Sequence, residues 1–189
     1  MDDSKLLWNE TSRKVVYHTP VFDVTERTST GPDGQQGVYI VNETRDWVIV
    51  IPEYEGNFLM VKQWRHGEKA LSIEFPGGVV DKGELPEKGA ARELLEETGA
   101  VAKKLIHLGT MNPNPALFSN KVHIYLAEEL EFSGKQNLDS DEFLNCMKLP
   151  VSEVLSKIGT KEYPHALMAA AAGLYLAKKN LLQNKFDSI

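Results

Sequence analysis

Glu84, Arg92, Glu93, Glu96 and Glu97 are the side chains of this sequence whose types and spacing can do chemistry. Three of the glutamates sit on what reads as one helix, and Glu84 lies in the loop that approaches it. At about 100° per residue, Glu93, Glu96 and Glu97 fall within roughly one third of the helix circumference. Residues three and four apart are surface neighbours, so three like charges there repel one another. A hard divalent cation such as Mg²⁺ or Mn²⁺ reverses the sign of that interaction, because it prefers carboxylate oxygens. Arg92 carries a planar fork that can pair with a carboxylate and hold it in place. The ordinary alternative is a solvated acidic helix face.

The elements that must position these groups can be read around them. Pro86 suits a helix start, where its missing N–H is no loss, and Gly99 suits a helix end. Ala90, Ala91, Leu94 and Leu95 supply an apolar stripe between the two. The whole stretch from Gly78 to Ala100, GVVDKGELPEKGAARELLEETGA, resembles the signature of the Nudix hydrolase family. The matching positions are Gly78, Glu84, Arg92, Glu93, Leu94, Glu96, Glu97 and Gly99. Ala100 departs from the bulkier aliphatic that is usual there, which touches packing rather than chemistry. The resemblance implies an α/β fold, a Nudix-type α/β/α sandwich with a mixed central sheet. It also implies metal-dependent cleavage of a nucleoside diphosphate linked to another group.

Composition sets the outer bounds. A chain of 189 residues suits one domain with a sizeable core plus an appendage. A formal net charge of −6 argues against nucleic acid or an anionic membrane as partner. The lone Cys146 excludes an intramolecular disulfide and fits a reducing compartment. It reads as a small buried strand residue rather than a nucleophile. The start MDDSKLLWNE has no basic n-region or long apolar run, and no apolar run reaches about 18 residues. The expected location is cytoplasmic.

Residues 1–45 read as an N-terminal antiparallel β-sheet appendage. KVVYHT, VFDVTERT and GVYIVNE are its strands, and Gly31-Pro32-Asp33-Gly34 is a turn. Residues 46–189 read as the Nudix hydrolase domain. WVIVIPEY and NFLMVKQW are expected to form a hairpin, followed by LSIEFPGGVV, the box helix, KKLIHLGTM, KVHIYLAEEL and FLNCMKLP. A short helix VSEVLSKI with Ser152 as cap and a long helix over Pro164 to Leu182 close the domain.

Further similarity lies outside the box. Thr19-Pro20-Val21-Phe22, VKQWR, EFPGG and Asn112-Pro113-Asn114-Pro115-Ala116 look like the branch of the family that hydrolyses ADP-ribose and other nucleoside diphosphate sugars. Pro115 sits where that branch carries a proline, although the loop continues Ala116-Leu117-Phe118 instead of the usual Gly-Phe. The reading assigns Glu93 and Glu97 as metal ligands with Glu96 next, and the resemblance adds the Gly77 carbonyl. Glu84 contacts a metal through water or braces the loop, and Arg92 orients a carboxylate. The resemblance puts the proton-accepting base in the loop before the last strand, where Glu142 is preferred over Asp141 and Asp139. Arg65 is assigned to a substrate phosphate, and Phe22 or Tyr39 to stacking a nucleobase. Trp64 is expected to be buried in the core or at an interface. The apolar residues of the N-terminal strands exceed what one hairpin face should leave in water and predict a homodimer; the resemblance implies that such a sheet also walls the substrate cleft. The rival reading is a Nudix-fold sensor without turnover, and dinucleoside polyphosphates, NADH and GDP-mannose remain alternative substrates.

Overall fold

The structure, a computed structural model, describes residues 2–132, 134, 136–138 and 142–186. The chain packs as two compact units, Met1–Arg45 with Asn112–Lys121, and Asp46–Met111 with Val122–Ile189.

The first unit is a three-stranded antiparallel sheet in the order β1 (Asn9–His18), β2 (Asp23–Thr30), β3 (Gln36–Glu43). β1 starts earlier than the KVVYHT stretch suggests, because Asn9 already pairs with Thr30. Gly34, at φ 85°, closes the turn between β2 and β3 by donating its N–H to Gly31 O at 3.0 Å. Only glycine takes that backbone region without strain. Across the sheet, Arg13 and Arg27 both pair with Glu43 Oε1 at 2.8 Å. Val15, Tyr17, Val38 and Ile40 stay exposed. Phe118 bridges to Asn42 in parallel, and Phe22 meets the Phe118 ring edge-on at 6.3 Å.

The second unit is a six-stranded mixed sheet between helical layers. Its strands are β4 (Trp47–Tyr54), β5 (Asn57–Arg65), β6 (Ala70–Glu74), β7 (Ala100–Met111), β8 (Val122–Phe132) and β9 (Leu144–Pro150). The order is β6-β5-β4-β8-β7, with β9 also on β5, and β4 runs parallel to β8. The period-2 alternation of side chains sorts β4 between two cores. Ile49 and Ile51 join Phe58, Met60, Ile124 and Leu126 beneath α2 (Val151–Lys157) and α3 (Ala166–Phe186). Val48 and Val50 join Leu59, Ala127 and Leu130 beneath α1 (Pro86–Thr98). The second cluster closes on Ala90 and Leu94, both fully buried. The result is the α/β/α sandwich.

Three expectations need correction. β4 and β5 form no full hairpin: they pair only at Glu53–Phe58 and Tyr54–Asn57. Beyond that the strands part, and the 76–80 loop hydrogen-bonds to β4 in the gap. Val48 N–H donates to Gly78 O and Val50 N–H to Pro76 O, each at 2.9 Å. Ser152 does not cap α2, because Pro150 occupies the N-cap position and Ser152 lies inside the first turn. Trp64 is 49% exposed, which corrects the core half of its expectation and leaves the interface half standing as an expectation. It pairs across the hairpin with the equally outward Leu71. Among the described residues, no helix is long and apolar enough to cross a membrane.

Candidate active site

α1 carries the acidic set, and its ends explain its position. Pro86 occupies the first turn, and Gly99 ends the helix in the left-handed region at φ 70°, donating to Leu95 O at 2.8 Å. Leu94 and Ala90 face the core, which turns Glu93 and Glu97 toward the 76–80 loop at the helix edge. They do not form a solvated face: Glu93 is 7% exposed and Glu97 2%. Glu97 Oε2 accepts the Gly77 N–H at 2.8 Å. A Cβ at Gly77 would run into the Val48 carbonyl oxygen, and one at Gly78 into the Glu93 carboxylate. Two glycines are therefore needed for the loop to approach both strand and helix.

Arg92 commits all five of its N–H donors, the full complement of a guanidinium. Nε and Nη2 hold Glu84 at 3.1 Å each, and Nη2 also donates to Val79 O at 3.0 Å. Nη1 holds Glu93 Oε1 and Glu96 Oε2, both at 2.9 Å. Arg92 thus gathers three carboxylates where the sequence suggested one. Glu84 also accepts the Asp81 N–H at 2.9 Å, so it ties the approach loop to the helix.

Burial governs the electrostatics. It raises Glu93 to about 7, against the pull of Arg92, with Glu96 and Glu142 adding to the rise. It raises Glu97 to about 8, against the Gly77 hydrogen bond, and Glu93 and Glu142 raise it further. Glu142 therefore brings its charge to bear on the same two carboxylates. Asp139 and Asp141 lie outside the described residues. Cys146 is half-buried on β9, and burial with the Glu97 charge pushes its thiol up, away from nucleophilic use.

The sequence reading passed over two members of the neighbourhood. Glu74, at the end of β6, is 1% exposed and grips Arg65 with both oxygens, at 2.8 and 2.6 Å. His165, just before α3, is half-buried and accepts the Leu167 N–H on Nδ1 at 3.1 Å. Both line a cavity of about 210 Å³ with Arg65, Gly77, Gly78 and Trp47. The available signal was an acid between Ile73 and Phe75 in a mostly apolar strand. Phe22, Tyr39 and Pro115 belong to the first unit. Tyr39 meets Trp8 edge-on at 5.6 Å, and Pro115 is exposed.

Among the described residues, no three or more His, Cys, Asp or Glu side chains stand ready as a metal site. Arg92 and the Gly77 amide hold the carboxylates instead. The donor chemistry nevertheless fits a hard divalent cation. Glu93 and Glu97 are buried carboxylates one turn apart whose ionised forms are unfavourable without added positive charge.

Comparison with known proteins agrees with this geometry. A family model described as the NUDIX domain matches residues 43–170. The ADP-ribose pyrophosphatase of Bacillus subtilis (strain 168) is 40% identical over 130 residues, covering 68% of this chain and 70% of that protein. The methanol dehydrogenase activator of Bacillus methanolicus is 31% identical over 158 residues, covering 82% and 84%. A crystal structure of an ADP compounds hydrolase shares the fold at 23% identity, with a TM-score of 0.81 over 94% of this chain and 95% of its own. The chain belongs to the Nudix family. Hydrolases of that family generally need divalent metal ions.

Proposed function

We propose that this chain is a pyrophosphohydrolase that cleaves the pyrophosphate bond of ADP-ribose or a related nucleoside diphosphate sugar. The products are a nucleoside monophosphate and a sugar phosphate. The observation that carries the reading is the buried Glu93–Glu97 pair beside the Gly77–Gly78 loop, on a chain 40% identical to an ADP-ribose pyrophosphatase.

Each residue has a task in this scheme. Glu93 and Glu97, with Glu96 and the Gly77 carbonyl, hold Mg²⁺ or Mn²⁺. When bound, such an ion neutralises phosphate oxygens and lowers the pKa of bound water. Arg65 binds a substrate phosphate. Glu142 takes the proton from the attacking water, and the influence of its charge on Glu93 and Glu97 supports that assignment. Glu84 and Arg92 brace the loop and orient the carboxylates. Phe22, Tyr39 and Pro115 contribute to base and sugar preference, residues 1–45 to a homodimer contact, and the enzyme works in the cytoplasm.

A panel of nucleoside diphosphate sugars, dinucleoside polyphosphates and NADH, assayed for released monophosphate with Mg²⁺ and with Mn²⁺, tests the reading. ADP-ribose or another nucleotide sugar should rank first. Binding of these compounds without any turnover would replace the enzyme with a sensor.

A further inference from the structure

We propose that Glu74 is a positioning residue that holds Arg65 as a fixed phosphate clamp beside the Gly77–Gly78 loop. This inference rests on the function proposed above, in which Arg65 meets a substrate phosphate.

The sheet register makes the pair. Glu74 stands opposite Val61 on β5, and Val61 and Arg65 lie four residues apart on one face of that strand. Arg65 reaches back along the hairpin, and Nε and Nη2 meet the two Glu74 oxygens at 2.8 and 2.6 Å. Glu74 is 1% exposed while the Arg65 side chain is 42% exposed. The buried end of the pair is thus the anchor, and the guanidinium is the presented end. Burial alone would raise the Glu74 carboxyl, yet Arg65 holds it below the ordinary carboxylate range. Glu74 is therefore an anion that fixes the orientation of the cation.

Two of the five guanidinium N–H donors go to Glu74, which leaves three for a ligand. The guanidinium lines the cavity of about 210 Å³ that Gly77, Gly78 and His165 also line. His165 accepts the Leu167 N–H on Nδ1, so in its neutral form the ring carries its proton on Nε2 as a further donor. Burial lowers the His165 pKa, which keeps that form. A buried ion pair adds little net stability over apolar side chains of similar volume. Ile73 and Phe75, the chain neighbours of Glu74, point to the opposite face of the strand and carry the core packing there. What the pair supplies is a rigid fork with its outer donors free, matched to a phosphate.

The experiment is a double-mutant cycle on the full chain, read by calorimetric binding of ADP-ribose in EDTA, where no turnover occurs. Glu74→Gln keeps the volume and removes the charge, and it should weaken binding about tenfold. In the presence of Mg²⁺ the same loss should fall on KM more than on kcat. Arg65→Lys keeps the charge without the fork and should show the same loss, which guards against a folding defect in the first variant. In an Arg65→Ala background, Glu74→Gln should cost less than twofold more. Wild-type affinity in Glu74→Gln, or an undiminished further loss in the Arg65→Ala background, would overturn the inference. If the wild type binds no nucleotide sugar, the functional reading fails separately. The cycle is then read with inorganic pyrophosphate, where the same non-additivity is required.

Discussion

Glu97 accepts the Gly77 amide at 2.8 Å while standing one helical turn from Glu93, and both carboxylates are almost wholly buried. One backbone N–H on Glu97, and an Arg92 that Glu93 shares with Glu84 and Glu96, are a weak counterweight for two charges in a poorly solvated setting. The behaviour of the site with pH, with metal and with substitution follows from that imbalance.

Glu97→Gln keeps the shape and removes one buried charge. Turnover with Mg²⁺ should fall by about 10²-fold or more, by analogy with the loss of one electrostatic stabiliser. In EDTA at pH 8.5 the melting temperature should rise, because the raised pKa marks the ionised form as unfavourable. A soluble variant with wild-type turnover would remove Glu97 from the site.

Glu93 at about 7 and Glu97 at about 8 lie above the unfolded glutamate value of about 4.3. Between these limits the folded state binds more protons than the unfolded one. Stability in EDTA should therefore fall as pH rises from about 5 to 8, by on the order of a few kcal/mol. Glu74 and Glu84, whose values are lowered, act in the opposite sense and lose their contribution only in more acid solution. Mg²⁺ should stabilise the fold more at pH 8.5 than at pH 6, and calorimetric scans at both values check this. An equal gain at both would count against the carboxylate pair as the binding site.

Arg92→Ala frees Glu84, Glu93 and Glu96 together. Removing one partner from a half-buried network should destabilise the chain by about 2 kcal/mol, less than for a fully buried pair. Urea unfolding at pH 7 measures it, and an unchanged midpoint would show that the network is ornamental to stability.

Gly78→Ala places a methyl group against the Glu93 carboxylate and should cut turnover sharply with little change in far-UV circular dichroism. Gly173→Ala, on an exposed part of α3 with open space around it, is the control. It should leave activity unchanged and raise stability by up to about 1 kcal/mol. Equal turnover in the two variants would contradict the close fit of the loop on the helix.

The apolar side chains exposed on β1 and β3 predict self-association. Light scattering at micromolar concentration should report twice the 21.1 kDa chain mass. A fully active monomer would leave that surface without a partner copy.

The acidic helix was legible because its signals are local. Pro86, Gly99 and the Glu spacing act within one helix, and Leu94 sets which side faces the core. The parting of β4 from β5 was not legible, since Glu55-Gly56-Asn57 reads as an ordinary hairpin turn. Which strand wins the edge of β5 depends on β9, more than eighty residues later. Glu74 was overlooked for a related reason. Alternation marks a strand acid as solvent-facing, and it takes the partner Arg65 on the neighbouring strand to make its burial tolerable. Arg92 was recognised, but one guanidinium serving three carboxylates needs the loop folded back over the helix.

The gap between β4 and β5 has a consequence for how this scaffold can change. The 76–80 loop sits in a slot cut by strand order, pinned by Val48, Val50 and Val80. The spacing between loop and α1 is inherited from the sheet, not from peripheral connections. Added length at the Glu55–Gly56 turn lies outside that slot. Lineages of this architecture are thus free to remodel their margins and acquire new specificities while the acidic helix keeps its alignment.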